Sequence, residues 1–228
     1  SIFEKIKTSP ISDKKAKYSD LSFLILQEYI ENEYKGNLDQ TIKKNLFNEI
    51  GVNLTYNPSK FISTKYITPS EIDNYFRHKE IHGYVHDMAA AMMGGIAGHA
   101  GLFGSAIEVA KIMQLFLQDG IYGNIKFLNK EIIDLFNTCH YCEYENRRGL
   151  GFDKPQIQED GPTCGCLSNK SFGHSGWTGT YTWADPETDI VYVFLSNRSY
   201  PDGEAANKSK LVKENIRSEI QRIIYQSI

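Results

Sequence analysis

Apolar positions recur at helical spacing through the first two-thirds of the chain. Phe23, Leu24, Leu26 and Ile30 follow Ser19 and Asp20, either of which can cap a helix that Gly36 would stop. Leu46, Phe47 and Ile50 give an inward face to a helix from Asp39 to Ile50, with Gly51 as its left-handed terminator. Thr68-Pro69-Ser70-Glu71 has the form of a capping box with proline at the first helical position, and predicts a helix there. The clearest signal follows Ser105: Ser105-x-x-Glu108 is a capping box, Val109, Ile112, Met113 and Phe116 share one face, and Gly120 ends the run.

The pattern changes after residue 148. Gly149-Leu150-Gly151-Phe152 predicts a short strand. Thr180 to Trp183 and Ile190 to Ser196 are β-branched and aromatic, and Asp185-Pro186-Glu187-Thr188-Asp189 between them is turn chemistry, so the two runs form a hairpin. A lone hairpin is marginal, which points to further sheet partners upstream. Val212, Ile216, Ile220, Ile223 and Ile224 mark one face of an amphipathic closing helix. Helices followed by an antiparallel hairpin and a last helix give an α+β fold. The expectation is one domain over residues 1–228, mainly helical from 18 to 148, with strands and the closing helix from 149 to 228. The irregular stretch from Tyr141 to Lys170 reads as a long loop.

Composition narrows the function classes. The 228 residues are 41% hydrophobic and 12% aromatic, which excludes a disordered chain. A net charge of −3 without a lysine-arginine stripe argues against a nucleic-acid partner. The apolar stretch near Ala89 to Met93 is far short of the ~20 residues that span a bilayer. The chain opens at Ser1 without a leader, so either the mature protein begins here or a longer polypeptide was cut, and the motifs favour the cut.

Four cysteines stand as Cys139-x-x-Cys142 and Cys164-x-Cys166. Three states fit: a four-thiolate zinc site with His140 as a possible substitute ligand, one or two disulfides in an oxidising compartment, or free thiols. The Cys-x-Cys spacing is tight for a zinc knuckle, which favours disulfides. His82, His86 and Asp87 have a spacing that could hold a metal on a helix, but the glutamate of a metallopeptidase motif is missing. The Gly94 to Gly104 run lacks the Gly-Lys-Ser/Thr ending of a phosphate loop and reads as a tight loop feeding the Ser105 helix.

Two segments carry candidate chemistry: Tyr18-Ser19-Asp20 before the first helix, and His174-Ser175-Gly176 within Phe172-Gly173-His174-Ser175-Gly176-Trp177-Thr178-Gly179-Thr180, 156 positions later (174 minus 18). Glycines beside a strand let a ligand approach the backbone closely. The order of these motifs, the hairpin and the closing helix resembles the serine β-lactamase and penicillin-binding-protein superfamily, in its class-C-like branch. Gly83-Tyr84-Val85-His86-Asp87, Gly94-Gly95-Ile96-Ala97-Gly98-His99-Ala100-Gly101-Leu102-Phe103 and Gly149-Leu150-Gly151-Phe152-Asp153 resemble one subgroup, the β-lactamase-like domains fused to family-three glycoside hydrolases in Bacteroidetes-type bacteria.

The resemblance implies a partial β-lactamase/transpeptidase-like fold and acyl transfer through a Ser-x-x-Lys serine. By the same resemblance Tyr18 relays protons, His174 takes the place often held by lysine, and the Trp177 backbone N–H is an oxyanion donor. Asp20, Ser175 and Gly176 line the substrate side, and Asp20 in place of asparagine disfavours a substrate carboxylate. The expectation is that Tyr18 and His174 converge on one cleft. Neither His86 nor His99 receives a role. The sole Ser-x-x-Lys match, Ser12-Asp13-Lys14-Lys15, lies six residues before Tyr18 in a polar stretch, so the chain alone is expected to be inactive. The substrate is expected to be a small ester, amide or peptidoglycan-derived molecule in the periplasm or cell envelope, with no cofactor unless the cysteines hold zinc. The rival reading is a non-catalytic binding or accessory module beside a cell-envelope glycoside hydrolase.

Overall fold

The computed structural model describes residues 2–10, 17–144, 146–155, 161–203 and 209–228. The Ser12 to Lys15 match lies outside them. The chain divides into two compact units, Ser1–Gly104 and Ser105–Ile228.

In the first unit, helix α1 (Ile2–Thr8) precedes α2 (Leu21–Tyr34). Of the two expected caps, Ser19 does the work. Its Oγ accepts the Leu21 N–H at 3.2 Å, while Asp20 occupies the cap position without a side-chain cap bond. The expected helix from residue 39 appears as α3 (Leu38–Ile42), a π-helical turn (Lys43–Phe47) and α4 (Asn48–Ile50), and Gly51 ends it at φ 73°. Strands β1 (Thr55–Tyr56), β2 (Pro69–Asp73) and β3 (Lys79–His82) follow, then helix α5 (Met88–Met92) and strand β4 (Leu102–Phe103). β1 pairs with β4 and β2 with β3, both antiparallel. Leu24, Val85, Ala90 and Ala97 form the core, with Phe3, Ile6 and Tyr84 packed around it.

The helix predicted at Thr68 to Glu71 is strand β2 instead. Glu71 and Asp73 are fully buried, and Asp73 accepts the backbone N–H groups of Tyr75, Phe76 and Arg77 as the chain turns into β3. A capping box would have left Glu71 near solvent at a helix start. Pairing with Arg77 and strand β3 outweighed that local propensity.

The second unit begins with α6 (Ala106–Leu117), whose Ser105–Glu108 capping box is formed, and Gly120 follows at φ 86°. A small hairpin, β5 (Ile121–Tyr122) and β6 (Ile125–Lys126), leads to α7 (Lys130–Asn137). The principal sheet is antiparallel, with β7 (Phe172–Ser175), β8 (Tyr181–Asp185) and β9 (Ile190–Phe194) in that order. The predicted hairpin is therefore present, and its expected partner is β7, directly upstream. Met113 of α6 packs with Phe172 and Ala184 on one face of the sheet, while Tyr181, Trp183 and Tyr192 pack with Ile220 and Ile224 on the other. Trp183 is core packing, as its place in the hairpin suggests.

Two expectations need correction here. Gly149 to Phe152 is a tight turn, with the Gly149 N–H donating to the Phe152 carbonyl. Only Asp153 bridges to the sheet, at Gly173. The closing helix is two helices, α8 (Lys210–Lys213) and α9 (Ile216–Gln226), split by Asn215 at φ 46°. Ile223 faces solvent and Gln221 is fully buried, so the inward face is rotated from the one the isoleucines mark.

Candidate functional site

The cysteines form two disulfides, Cys139–Cys142 and Cys164–Cys166, with Cα separations of 5.6 and 5.3 Å. A disulfide sulfur is no thiolate ligand, so the zinc alternative falls. His140 donates to the Leu135 carbonyl at 2.8 Å. His82 and His86 do not share a helix: His82 ends β3 and donates from Nε2 to the Ile67 carbonyl at 2.6 Å. His86 lies 3.2 Å from Glu71. Burial lowers the His86 pKa, with the Glu71 charge opposing. The metal reading of those residues falls as well.

Tyr18 and Asp20 lie in the first unit; His174, Ser175, Gly176 and Trp177 lie in the second. Tyr18 sits in the non-helical segment before α2 with its side chain largely exposed. Asp20 is half-buried and meets two residues that sequence reasoning left without a role. One carboxylate oxygen each of Asp20 and Asp87 and one ring nitrogen of His99 all lie within 4.8 Å of one another. His99 Nε2 is 2.8 Å from Asp87 Oδ1, and the same oxygen accepts the Ala90 N–H that caps α5. The hydrogen bond to Asp87 raises the His99 pKa. Burial opposes it, and the charges of Asp87 and Asp20 reinforce it. In return, the bond to His99 lowers the Asp87 carboxyl.

His174 lies in mid-strand, opposite Thr182 of β8, and not in a loop. Its Nδ1 is 2.7 Å from the Ser175 carbonyl oxygen. A carbonyl only accepts, so Nδ1 carries a proton. After Ser175 the chain turns sharply, with the Gly176 N–H donating to the Thr180 carbonyl and the Gly179 N–H to the Gly176 carbonyl. A Cβ on Gly176 would run into the Thr180 hydroxyl, which explains the glycine. Trp177 stands exposed on this turn. Arg198 donates from Nε to its carbonyl at 2.6 Å and covers its ring at 5.1 Å. Neither Arg198 nor the set of buried Glu71 and Asp73 with Arg77 had a signature in sequence, because each is defined by what it meets in space.

An α+β chain with this three-stranded sheet has the fold of β-lactamase-like and penicillin-binding proteins. The β-lactamase Mb2281c from Mycobacterium bovis matches at TM-score 0.56, 17% identity, over 90% of this chain and 64% of its own. A penicillin-binding protein homologue from Caulobacter crescentus matches at TM-score 0.57, 14% identity, over 83% and 54%. The Beta-lactamase family model matches residues 1–215, and the chain belongs to that family. A putative D-alanyl-D-alanine carboxypeptidase of Escherichia coli strain K12 is 32% identical over 214 residues, 86% of this chain and 49% of that protein. A Salmonella enteritidis protein described in the same words is 34% identical over 221 residues, 90% and 50%. The chain thus spans about half the length of the curated relatives it matches.

Proposed function

We propose that the chain is part of a serine hydrolase that cleaves a D-alanyl-D-alanine-like amide or a related ester, through a serine outside these 228 residues. The observation that carries the reading is His174: its imidazole stands on strand β7 beside the Gly176–Gly179 turn, with Nδ1–H fixed on the Ser175 carbonyl. The relatives described as putative D-alanyl-D-alanine carboxypeptidases support the substrate class.

In this reading the serine Oγ attacks the substrate carbonyl and its proton passes to a basic group. The Trp177 backbone N–H on the Gly176–Gly179 turn stabilises the resulting oxyanion. Tyr18 gives its proton to the departing amine or alkoxide and recovers the one that the basic group took from the serine, and water then releases the acyl group by the same steps in reverse. Asp20, half-buried two positions after the tyrosine, Ser175 and Gly176 shape the substrate side. Two disulfides support an extracytoplasmic location, where cell-wall peptides are available.

The test is covalent labelling. The 228-residue chain and the full-length polypeptide are treated with a fluorophosphonate and weighed, and D-alanine release from an N-acyl-D-alanyl-D-alanine peptide is measured. The full-length protein should gain one adduct and release D-alanine, while the short chain should do neither. In the active protein Tyr18→Phe should lower kcat by about a hundredfold or more. An adduct on the short chain would overturn the placement of the nucleophile. No adduct on either would overturn the hydrolase reading in favour of a non-catalytic module, such as one attached to a glycoside hydrolase.

A further inference from the structure

The Gly94 to Phe103 run has no part in the chemistry above, yet it seats the helix that follows Tyr18. Gln27 of α2, buried, donates from Nε2 to the Ile96 carbonyl at 3.2 Å and accepts the Gly98 N–H at 3.0 Å. Gly98 lies so near α2 that a Cβ there would be 2.5 Å from the Phe23 carbonyl oxygen, so only glycine lets the two backbones meet. The next residue, His99, has a side chain just 4% exposed, bonds Asp87 through Nε2, and stands within 4.8 Å of a carboxylate oxygen of Asp20.

We propose that His99 is a positioning residue for Tyr18: its imidazolium, held by Asp87, draws in Asp20 and fixes the Tyr18-Ser19-Asp20 segment at the head of α2. The inference rests on the reading of Tyr18 as the proton relay. A buried cation alone is costly, but here the charge of Asp87 and the nearby charge of Asp20 offset that cost, even though His99 Nδ1 is buried without a hydrogen-bond partner among the described residues. Without its charge, Asp20 and Asp87 would face each other as like charges within 4.8 Å. Asp20 would then swing outward and carry Tyr18 with it.

The groups that act on His99 are Asp87 and Asp20. His86 acts on Asp87, and Glu71, Arg77 and Asp73 act on His86. Since the folded His99 pKa is raised, the latch is complete below the ordinary histidine value and is lost as pH rises through the folded one.

Amide hydrogen exchange of residues 17–24 tests the latch without reference to activity. At about pH 6, where the histidine is charged, exchange in His99→Gln should rise about tenfold over wild type, and Asp20→Asn should loosen the same amides. The wild-type amides should approach the His99→Gln level at alkaline pH, after correction for intrinsic rates. Unchanged exchange at about pH 6 would overturn the proposal. If His99→Gln fails to fold, the Asp20→Asn comparison decides. In the full-length protein His99→Gln should lower kcat about tenfold or more, leave KM within about twofold and flatten the alkaline limb of the kcat profile. Full turnover in His99→Gln beside a crippled Tyr18→Phe would overturn the positioning role. Full turnover in Tyr18→Phe itself would instead sink the catalytic reading of Tyr18, leaving exchange alone to judge the latch.

Discussion

Arg77 and Asp73 close the β2–β3 hairpin from inside: Nε donates to Asp73 Oδ2 at 2.7 Å, with the carboxylate fully buried. The same guanidinium donates to the carbonyls of Val85 and His86 at 2.7 and 2.6 Å, and lies 3.6 Å from Glu71. One side chain therefore ties the hairpin to the segment that enters α5. Arg77→Met would keep the apolar stem but strand Glu71 and Asp73 without their cation. Breaking a buried pair in this way costs about 3–5 kcal/mol. Urea unfolding of the variant should show that loss, and a change below about 1 kcal/mol would mean that water already compensates the carboxylates.

The same pair predicts an acid dependence of stability. Burial opposes the Asp73 charge, but Arg77 and three backbone N–H groups outweigh it and hold the carboxyl well below its ordinary value of 3.8. The unfolded chain takes up that proton near the ordinary value, whereas the folded chain resists until lower pH. The stabilisation is thus complete at neutral pH and is lost as pH falls below about 4. Asp73→Asn should be less stable than wild type at neutral pH, and the gap should narrow progressively in acid. A gap independent of pH would assign the stabilisation to the turn hydrogen bonds and not to the charge.

Gly98 and Gly123 separate two uses of glycine. A Cβ on Gly98 would meet the Phe23 carbonyl at 2.5 Å, so Gly98→Ala must push α2 away from the Ile96 to His99 backbone. Overpacking of this kind costs about 1–3 kcal/mol. Gly123 has φ +59° with open space around it, so Gly123→Ala meets only the left-handed backbone penalty of about 1–2 kcal/mol. Thermal unfolding should rank Gly98→Ala below Gly123→Ala, and exchange near residue 20 should rise only in the former. Equal losses would remove the close helix–loop contact from the account.

What the sequence announced and what it hid follow from the range of the forces involved. The Ser105 capping box, the Gly51 and Gly120 terminators and the β8–β9 hairpin are local devices, and all are present in the structure. The box at Thr68 failed because its glutamate found Arg77 and a strand partner, a competition that no short window records. Strand β7 was concealed because its glycines read as loop, although Gly173 is glycine since a Cβ would strike the Trp183 indole and the Thr182 carbonyl. Asp20 was noticed for its motif and His99 only for its surroundings, since their proximity depends on Gln27 and Gly98 seating α2.

Gln221 is the polar residue that the apolar pattern of α9 misplaced, and it carries a specific load. Fully buried, its Oε1 accepts both the Cys164 backbone N–H at 3.1 Å and the Tyr181 hydroxyl at 2.9 Å. It thereby fastens the loop of the Cys164–Cys166 disulfide to the sheet and to the closing helix. Gln221→Leu keeps the volume but leaves two buried donors without an acceptor. Each orphaned donor costs about 1–3 kcal/mol, while loss of Gln221 Nε2, buried without a hydrogen-bond partner among the described residues, offsets part of that, so the variant should lose about 1–3 kcal/mol in urea unfolding. Thiol attack on a disulfide depends on access to a sulfur, and Cys164 is buried at present. Freeing its backbone should speed reduction of Cys164–Cys166 by dithiothreitol while leaving Cys139–Cys142 at its wild-type rate, which mass spectrometry of alkylated peptides can follow. Equal acceleration of both disulfides would point to global unfolding and would deny Gln221 its local role.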